Sequence, residues 1–227
     1  MQKLPTLEEL LKCGVHFGHQ TSKRYPKANS YIHTQRNGVH IIDLQKTVKG
    51  LEEALKFVDK TVKAGGVILF VGSKKQAKTI VKEAAIGCGM PYIIGRWLGG
   101  TFTNFENIVK LTRKLERLER EEEDGTWDMY TKKEQVTFKK ELNKLLDNVG
   151  GIKNMKNLPK AVFVVDIKKE GTAVSEANKM GIPVIALVDT NVNPELVTYP
   201  IPANDDAIKS IEVITDLVAD AVRGARS

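Results

Sequence analysis

The chain has 227 residues, of which 41% are hydrophobic and 28% are charged. It is therefore long enough to bury a substantial core and too apolar to be disordered throughout. The two cysteines exclude a disulfide framework and a cysteine-rich zinc module. The longest apolar run, residues 182–188, is too short for a membrane span of about 20 residues, and the first fifteen residues lack a signal-like apolar core, so we expect a cytoplasmic protein.

The positive charge of the chain is concentrated near its beginning. Lys and Arg number 35 against 28 Asp and Glu, which gives a net charge of +7. Residues 12–49, here called the basic segment, contain seven of these cations, one acidic residue and all four histidines. Such a stretch indicates a polyanionic partner.

Short sequence signals predict the first elements of the chain. Thr6 and Glu9 form a capping box that predicts a short helix ending at Gly14. Residues 14–30 are polar and lack periodicity, so we expect an extended surface segment that becomes ordered only on binding RNA. An Asn-Gly pair at 37–38 between two β-prone runs predicts a hairpin.

The remainder of the chain alternates between helical patterns and short apolar runs. This alternation predicts an α/β fold, a parallel sheet flanked by helices. The strand-like runs are 67–71, 92–94, 161–166, 184–188 and 199–201. The helices are expected at 44–62, at 73–87 with a capping box at 73–76, at 173–180, and at 205–223 with Asn204 or Asp205 as its cap.

One connection is far longer than the usual two to six residues or so between such elements. Its two heptad patterns, separated by an acidic turn at 121–128, predict an antiparallel coiled-coil hairpin over 106–149. We therefore divide the chain into an α/β body, 1–105 and 150–227, and an inserted hairpin. Residues 106–147 carry ten basic and eleven acidic side chains, so the hairpin is a rigid arm or a solvated, self-paired coil rather than a basic clamp.

The basic segment is the first candidate site. Its lysines and arginines (Lys23, Arg24, Lys27 and Arg36 among them) suit phosphates, and His16, His19, Tyr25 and Tyr31 suit stacking or base contacts. We expect RNA binding that weakens with salt; the alternative is a solvated basic loop without a partner.

The turn at 72–76 is the second candidate, because a strand, a glycine and a helix start in sequence suit an anion. Lys74 and Lys75 could hold RNA phosphates or a nucleotide, and the latter gives the alternative of a nucleotide-binding enzyme. Against it, no P-loop and no GxGxxG sequence occurs. A capped crossover helix with exposed lysines remains equally open.

The third candidate is the loop at 96–104, which contains a Gly-Gly pair. Arg96 is expected to meet phosphate, with Thr101 and Asn104 as polar contacts beside it, while Trp97 and Phe102 fix the base of the hairpin.

Catalytic and metal chemistry find little support in the sequence. His16 and His19 have the spacing of metal ligands, but a site would need Asp189 or Asp205 as well, so we expect no metal. No GxSxG, HExxH or CxxC motif occurs, and we expect no catalytic residue and no cofactor.

Seven ordered blocks resemble the bacterial small-subunit ribosomal protein two family, and the similarity extends over residues 7–221. They are GVHFGHQT (14–21), RNGVHIIDLQKT (36–47), ILFVGSKKQA (68–77), RWLGGTFTNF (96–105), GGIKNMKNLP (150–159), IPVIALVDTN (182–191) and IPANDDA (201–207). The family's basic motif carries over onto His16, His19, Gln20, Thr21, Lys23, Arg24 and Lys27, and its RNG turn onto Arg36 and Asn37.

The resemblance implies a flavodoxin-like sheet with an inserted coiled coil and a structural, non-catalytic role in the ribosome. It implies contacts with ribosomal RNA at the junction of the head and the body of the small subunit, with neighbouring proteins, and with ribosomal protein one. No membrane and no small-molecule substrate is expected. The chain departs from the family where Tyr25 stands one place from the usual tryptophan, and where Ala203 replaces a glycine.

Overall fold

The computed structural model describes residues 4–226, which form eight strands and seven α-helices. The strands are β1 (Phe17–Gln20), β2 (Ile32–Arg36), β3 (Val39–Ile42), β4 (Ile68–Val71), β5 (Tyr92–Ile93), β6 (Ala161–Val164), β7 (Val184–Val188) and β8 (Tyr199–Pro202). The helices are α1 (Leu7–Lys12), α2 (Leu44–Lys63), α3 (Lys78–Cys88), α4 (Phe105–Glu123), α5 (Lys132–Val149), α6 (Gly171–Lys179) and α7 (Ile208–Arg226).

The larger sheet confirms the α/β prediction. Its five strands are all parallel, in the order β5-β4-β6-β7-β8. Counted along the chain this is the order 2-1-3-4-5 of flavodoxin-like folds, with a switch point between β4 and β6. Every residue of β4, β6 and β7 is buried, because helices cover both faces of the sheet.

Alternate strand residues supply two separate cores. Phe70 belongs to the core shared with α2, α3 and α7, which includes Leu51 and Ile211. Val71 points to the opposite core, which contains α6 and the base of α4 with Leu115. This two-sided burial is the reason why the strands appear in the sequence as unbroken apolar runs.

Helices α4 and α5 form a hairpin. They run in opposite directions, since Lys114 pairs with Glu141 and, further out, Glu122 pairs with Lys139. A capping box is present at the start of α5, with the Thr131 amide donating to the Glu134 carboxylate at 3.0 Å. The supercoiling of the pair and the division of the chain into body and insertion stay predictions.

The basic segment forms a small antiparallel sheet in the order β1-β3-β2. The predicted Asn-Gly turn is confirmed: Asn37 and Gly38 both have positive φ, 51° and 74°. The expectation for residues 14–30 differs from the structure, in which they form β1 and two 3-10 turns rather than an unstructured segment. Hydrogen bonds to the end of β7, described below, supply the stabilisation that their own composition lacks.

Two predicted helix starts were wrong. The capping box at 73–76 does not form, because the Ser73 amide donates to the Glu170 carboxylate at 2.9 Å, and α3 begins only at Lys78. The last helix begins at Ile208 rather than at 205. Its preceding turn is capped by Asn204, whose Oδ1 accepts from the amides of residues 206 and 207 at 2.8 and 3.2 Å.

Strand β8 ends the large sheet and contains two prolines, Pro200 and Pro202, paired with Ala186 and Val188 of β7. Proline lacks the amide hydrogen of a strand ladder and is therefore found at edges. Among the residues described, no helix has the length and apolar character that a bilayer crossing requires.

Candidate nucleic-acid interface

The basic segment is fixed to the carboxyl end of β7 through Thr190. The Tyr25 amide donates to the Thr190 carbonyl oxygen at 2.8 Å, and the His19 amide donates to its hydroxyl oxygen at 2.9 Å. Gly18 lies so close that an added Cβ would be 2.7 Å from Thr190 Cγ2. The sequence requires glycine at this point because any side chain would push the segment away from the sheet.

The docked segment presents its cations to solvent. Lys23, Arg24 and Arg36 are exposed, and no carboxylate among residues 4–226 lies within 4.0 Å of their charged nitrogens. Lys27 is exposed as well but pairs with Glu195. The polar candidates are also exposed, namely Gln20, Thr21 and Asn37. Tyr25 and His16 are half-buried, and the His16 ring lies against Phe17 with centroids 4.0 Å apart.

The switch point of the sheet holds a cluster of opposite charges. Lys74 Nζ lies 2.8 Å from Asp205 Oδ1, 2.7 Å from Asp206 Oδ1 and 3.2 Å from Asp166 Oδ2. Its side chain is only 14% exposed. The turn at 72–76 therefore does not offer Lys74 to a phosphate, and the surrounding carboxylates would repel an anion. Lys75, beside it, is exposed.

His19 extends this cluster. Its Nδ1 lies 2.9 Å from Asp189 Oδ2, and its Nε2 lies 3.4 Å from Asp206 Oδ2. The hydrogen bond to Asp189 raises the pKa of His19. Burial, together with the nearby charges of Asp166 and Asp189, raises the pKa of Asp205 to about 7. Burial disfavours the charged form of Lys74, but its hydrogen bonds to Asp205 and Asp206 outweigh burial and raise its pKa.

The same cluster is where a cation could be held. Ligand atoms of His19, Asp205 and Asp206 lie within 4.8 Å of one another. His16, the other histidine of the predicted pair, is not in this group. Lys74 already places its ammonium group beside both aspartates.

The loop at 96–104 is organised by a residue that the sequence analysis missed, Glu176 of α6. Its Oε1 accepts from Trp97 Nε1 at 3.2 Å and from the Gly100 amide at 2.8 Å. Its Oε2 accepts from the amides of Phe102 and Thr103 at 2.9 and 3.3 Å. Burial opposes ionisation of this carboxyl, but the hydrogen bonds from Phe102 and Gly100 prevail and lower its pKa.

The hydrogen bonds to Glu176 leave two of the predicted RNA-contacting residues of the loop exposed and bury the third. Arg96 and Asn104 are exposed at its two ends. Thr101 is 1% exposed, and its hydroxyl donates to the Leu98 carbonyl oxygen at 2.6 Å, so it shapes the loop instead of facing solvent. No sequence signal marks Glu176, because a single glutamate in a helical pattern reads as a surface residue.

The carboxyl ends of the strands thus carry exposed cations around a switch point whose lysine is enclosed by carboxylates. Together with the strand order, this defines a flavodoxin-like α/β protein whose usual ligand crevice is occupied by its own ion pairs. The model of the family described as Ribosomal protein S2 matches residues 10–225. The chain therefore belongs to the ribosomal protein S2 family, the family that its sequence blocks resemble.

Membership makes the chain a structural ribosomal protein of the small subunit, part of a ribonucleoprotein that acts in translation. The family implies a non-enzymatic role and a ribosomal location. It also implies partners among ribosomal RNA and ribosomal proteins.

Proposed function

We propose that this chain binds small-subunit ribosomal RNA through the basic segment and through Lys75, Arg96 and Asn104. In the arrangement that the sequence blocks imply, it lies at the junction of the head and the body of the subunit in a cytoplasmic ribosome. It contacts neighbouring ribosomal proteins there and helps to dock ribosomal protein one. It performs no catalysis and needs no cofactor.

One observation carries this proposal: three cations of a firmly docked segment have no carboxylate partner among residues 4–226. Lys23, Arg24 and Arg36 are exposed and unpaired among the described residues, while their backbone is tied to Thr190. Cations held in place without carboxylates are suited to neutralise phosphates, because binding then breaks no internal ion pair and releases counterions from the RNA.

The alternative of a nucleotide-using enzyme is disfavoured by the switch point. A nucleotide phosphate placed there would have to displace Asp166, Asp205 and Asp206 from Lys74. If ATP or NAD raised the melting temperature by several degrees, this alternative would be favoured instead.

The test is the triple variant K23A/R24A/R36A, assayed for binding to small-subunit ribosomal RNA over a range of salt concentrations. Each lost phosphate contact flattens the plot of log affinity against log salt by about 0.7 to 0.9. We expect a slope lower by about 2 to 3 and an affinity lower by roughly 100-fold at 0.1 M salt.

The matched control is K60A/K82A/K209A, which removes three exposed lysines from α2, α3 and α7. Its slope is expected to stay close to that of the wild type. Equal losses in both variants would mean that only net charge matters. Unchanged binding in the first variant would favour a protein adaptor that does not contact RNA.

A further inference from the structure

The end of the hairpin, residues 121–136, comprises the connection between α4 and α5 together with the adjoining turn of each helix; we call it the hairpin tip. It contains three exposed large hydrophobic residues. Met129 is 84% exposed, Val136 55% and Tyr130 46%. Single exposed apolar residues are ordinary, but three within eight positions at the end of an arm mark a contact surface.

The hairpin tip is also well ordered. Gln135 Nε2 donates to the carbonyl oxygens of Trp127 and Tyr130 at 2.9 and 3.1 Å. The Tyr130 ring meets Phe138 edge-on, with centroids 5.2 Å apart, and buried Trp127 packs 5.7 Å from the same ring. Because these contacts hold the turn, its backbone and the Tyr130 ring would lose little conformational freedom on binding a partner.

The charge of the hairpin tip is opposite to that of the basic segment. Residues 121–136 contain six acidic side chains and two basic ones, Lys132 and Lys133, and the stretch 121–131 contains five acidic side chains and no basic one. Glu121 and Glu122 pair with cations of the hairpin, Arg117 and Lys139. Across residues 4–226, no cation lies within 4.0 Å of the carboxylates of the other three, which are Glu123, Asp124 and Asp128.

We propose that the hairpin tip docks a basic segment of a neighbouring protein in the small subunit. Met129 and Tyr130 pack against its apolar residues, and the three unpaired carboxylates meet its lysines or arginines. Protein is favoured over RNA because unpaired carboxylates beside phosphates repel, whereas complementary charge steers and orients a protein partner. The inference rests on the proposed function, since it places the chain in the assembled subunit.

The experiment places a photo-crosslinking amino acid, p-benzoylphenylalanine, at Met129 or, as a second independent probe, at Val136 of the full-length chain. Small subunits are purified from cells that express either variant and are then irradiated. We expect both probes to crosslink to one basic ribosomal protein. Crosslinks to ribosomal RNA, or subunits that contain the chain but yield no crosslink at either position, would overturn the proposal.

A charge reversal tests the electrostatic part. Combined with the Met129 probe, E123K/D124K/D128K should lower the crosslink yield at least fivefold. The matched control E8K/E53K/E212K makes the same charge change at exposed acids of α1, α2 and α7 and should stay within twofold. Equal yields in the two variants would contradict a charge-guided contact.

The two proposals fail in different ways. If the wild-type chain is absent from purified small subunits, the proposed function fails. If it is present while the tip probes reach only RNA or nothing, the hairpin-tip proposal alone fails.

Discussion

The basic segment and the cluster around Lys74 lie at the same edge of the sheet but use their charges in opposite ways. In the cluster, a nearly buried ammonium group is enclosed by Asp166, Asp205 and Asp206. In the basic segment, Lys23 and Arg36 are exposed and have no ion-pair partner among the residues described. The role of a lysine in this protein therefore does not follow from its position along the chain. It depends on whether the fold places carboxylates beside the ammonium group.

The largest effect on stability should come from Lys74→Met. Removing the ammonium group leaves buried carboxylates without a partner, which typically costs about 3–5 kcal/mol. Urea denaturation should show this loss, while the salt slope of RNA binding stays unchanged. Lys75→Ala, one residue away and exposed, should stay within about 0.5 kcal/mol of the wild type. Similar stabilities of the two variants would show that the ion pairs of Lys74 stabilise the fold no more than the exposed Lys75 does.

Glu176→Gln should have the next largest effect. The variant keeps one acceptor oxygen but loses the charge and places an amide group opposite backbone donors, for a loss of about 1–3 kcal/mol. Amide exchange should quicken at residues 100–103, and Arg96 should contribute less to RNA binding. Glu195→Gln, at an exposed carboxylate, is the matched control and should leave exchange in this loop unaltered.

The lowered pKa of Glu176 predicts that the folded protein loses stability as the pH falls into the acid range. Because the pKa of Glu176 is lowered in the folded state, its contribution is present above the unfolded value of about 4.5 and is lost as the pH falls through the folded value. In the Gln variant, stability should therefore depend less on pH below 5. An unchanged loss of stability at acid pH would mean that other carboxylates account for it.

The smallest expected effect on stability comes from the titration of His19 and Asp205. Folding raises the pKa of both groups. Groups of this kind stabilise below their unfolded pKa, and the stabilisation is lost as the pH rises through the folded pKa. For Asp205 the loss is complete near pH 7, and for His19 it lies above its ordinary value of 6.5. With EDTA present, stability should decline from about pH 4, near the ordinary pKa of Asp205, to about pH 7, and further above pH 6.5 as His19 titrates; His19→Gln should flatten the upper part of this decline. A profile of the variant parallel to that of the wild type would refute the assignment.

Much of the fold could be predicted because it depends on neighbours in the sequence. The bounds of β7, 184–188, agree with its unbroken apolar run, and the Asn37-Gly38 turn follows from the conformations that only such residues adopt readily. The crossover helices and the two helices of the long connection follow from periodicity, which survives tertiary packing.

The site could be predicted only in part because it depends on distant partners. The position of Lys74 is decided by aspartates at residues 166, 205 and 206, and the docking of Tyr25 by Thr190. No local pattern shows which side chains meet where parallel strands end. The cations of the basic segment were found because their excess is visible in the composition itself.

Strand β8, with Pro200 and Pro202, has a consequence for the chain before assembly. An unpaired sheet edge is a template on which a second molecule can add a strand, and the hazard grows with protein concentration. Pro200 and Pro202 offer no amide hydrogen to a strand that a second molecule would add. Helix α2 covers the same edge, since the Thr47 hydroxyl donates to the Pro202 carbonyl oxygen at 2.5 Å and Gly50 lies against Pro200, so a copy free of RNA presents no open strand edge at this end of the sheet.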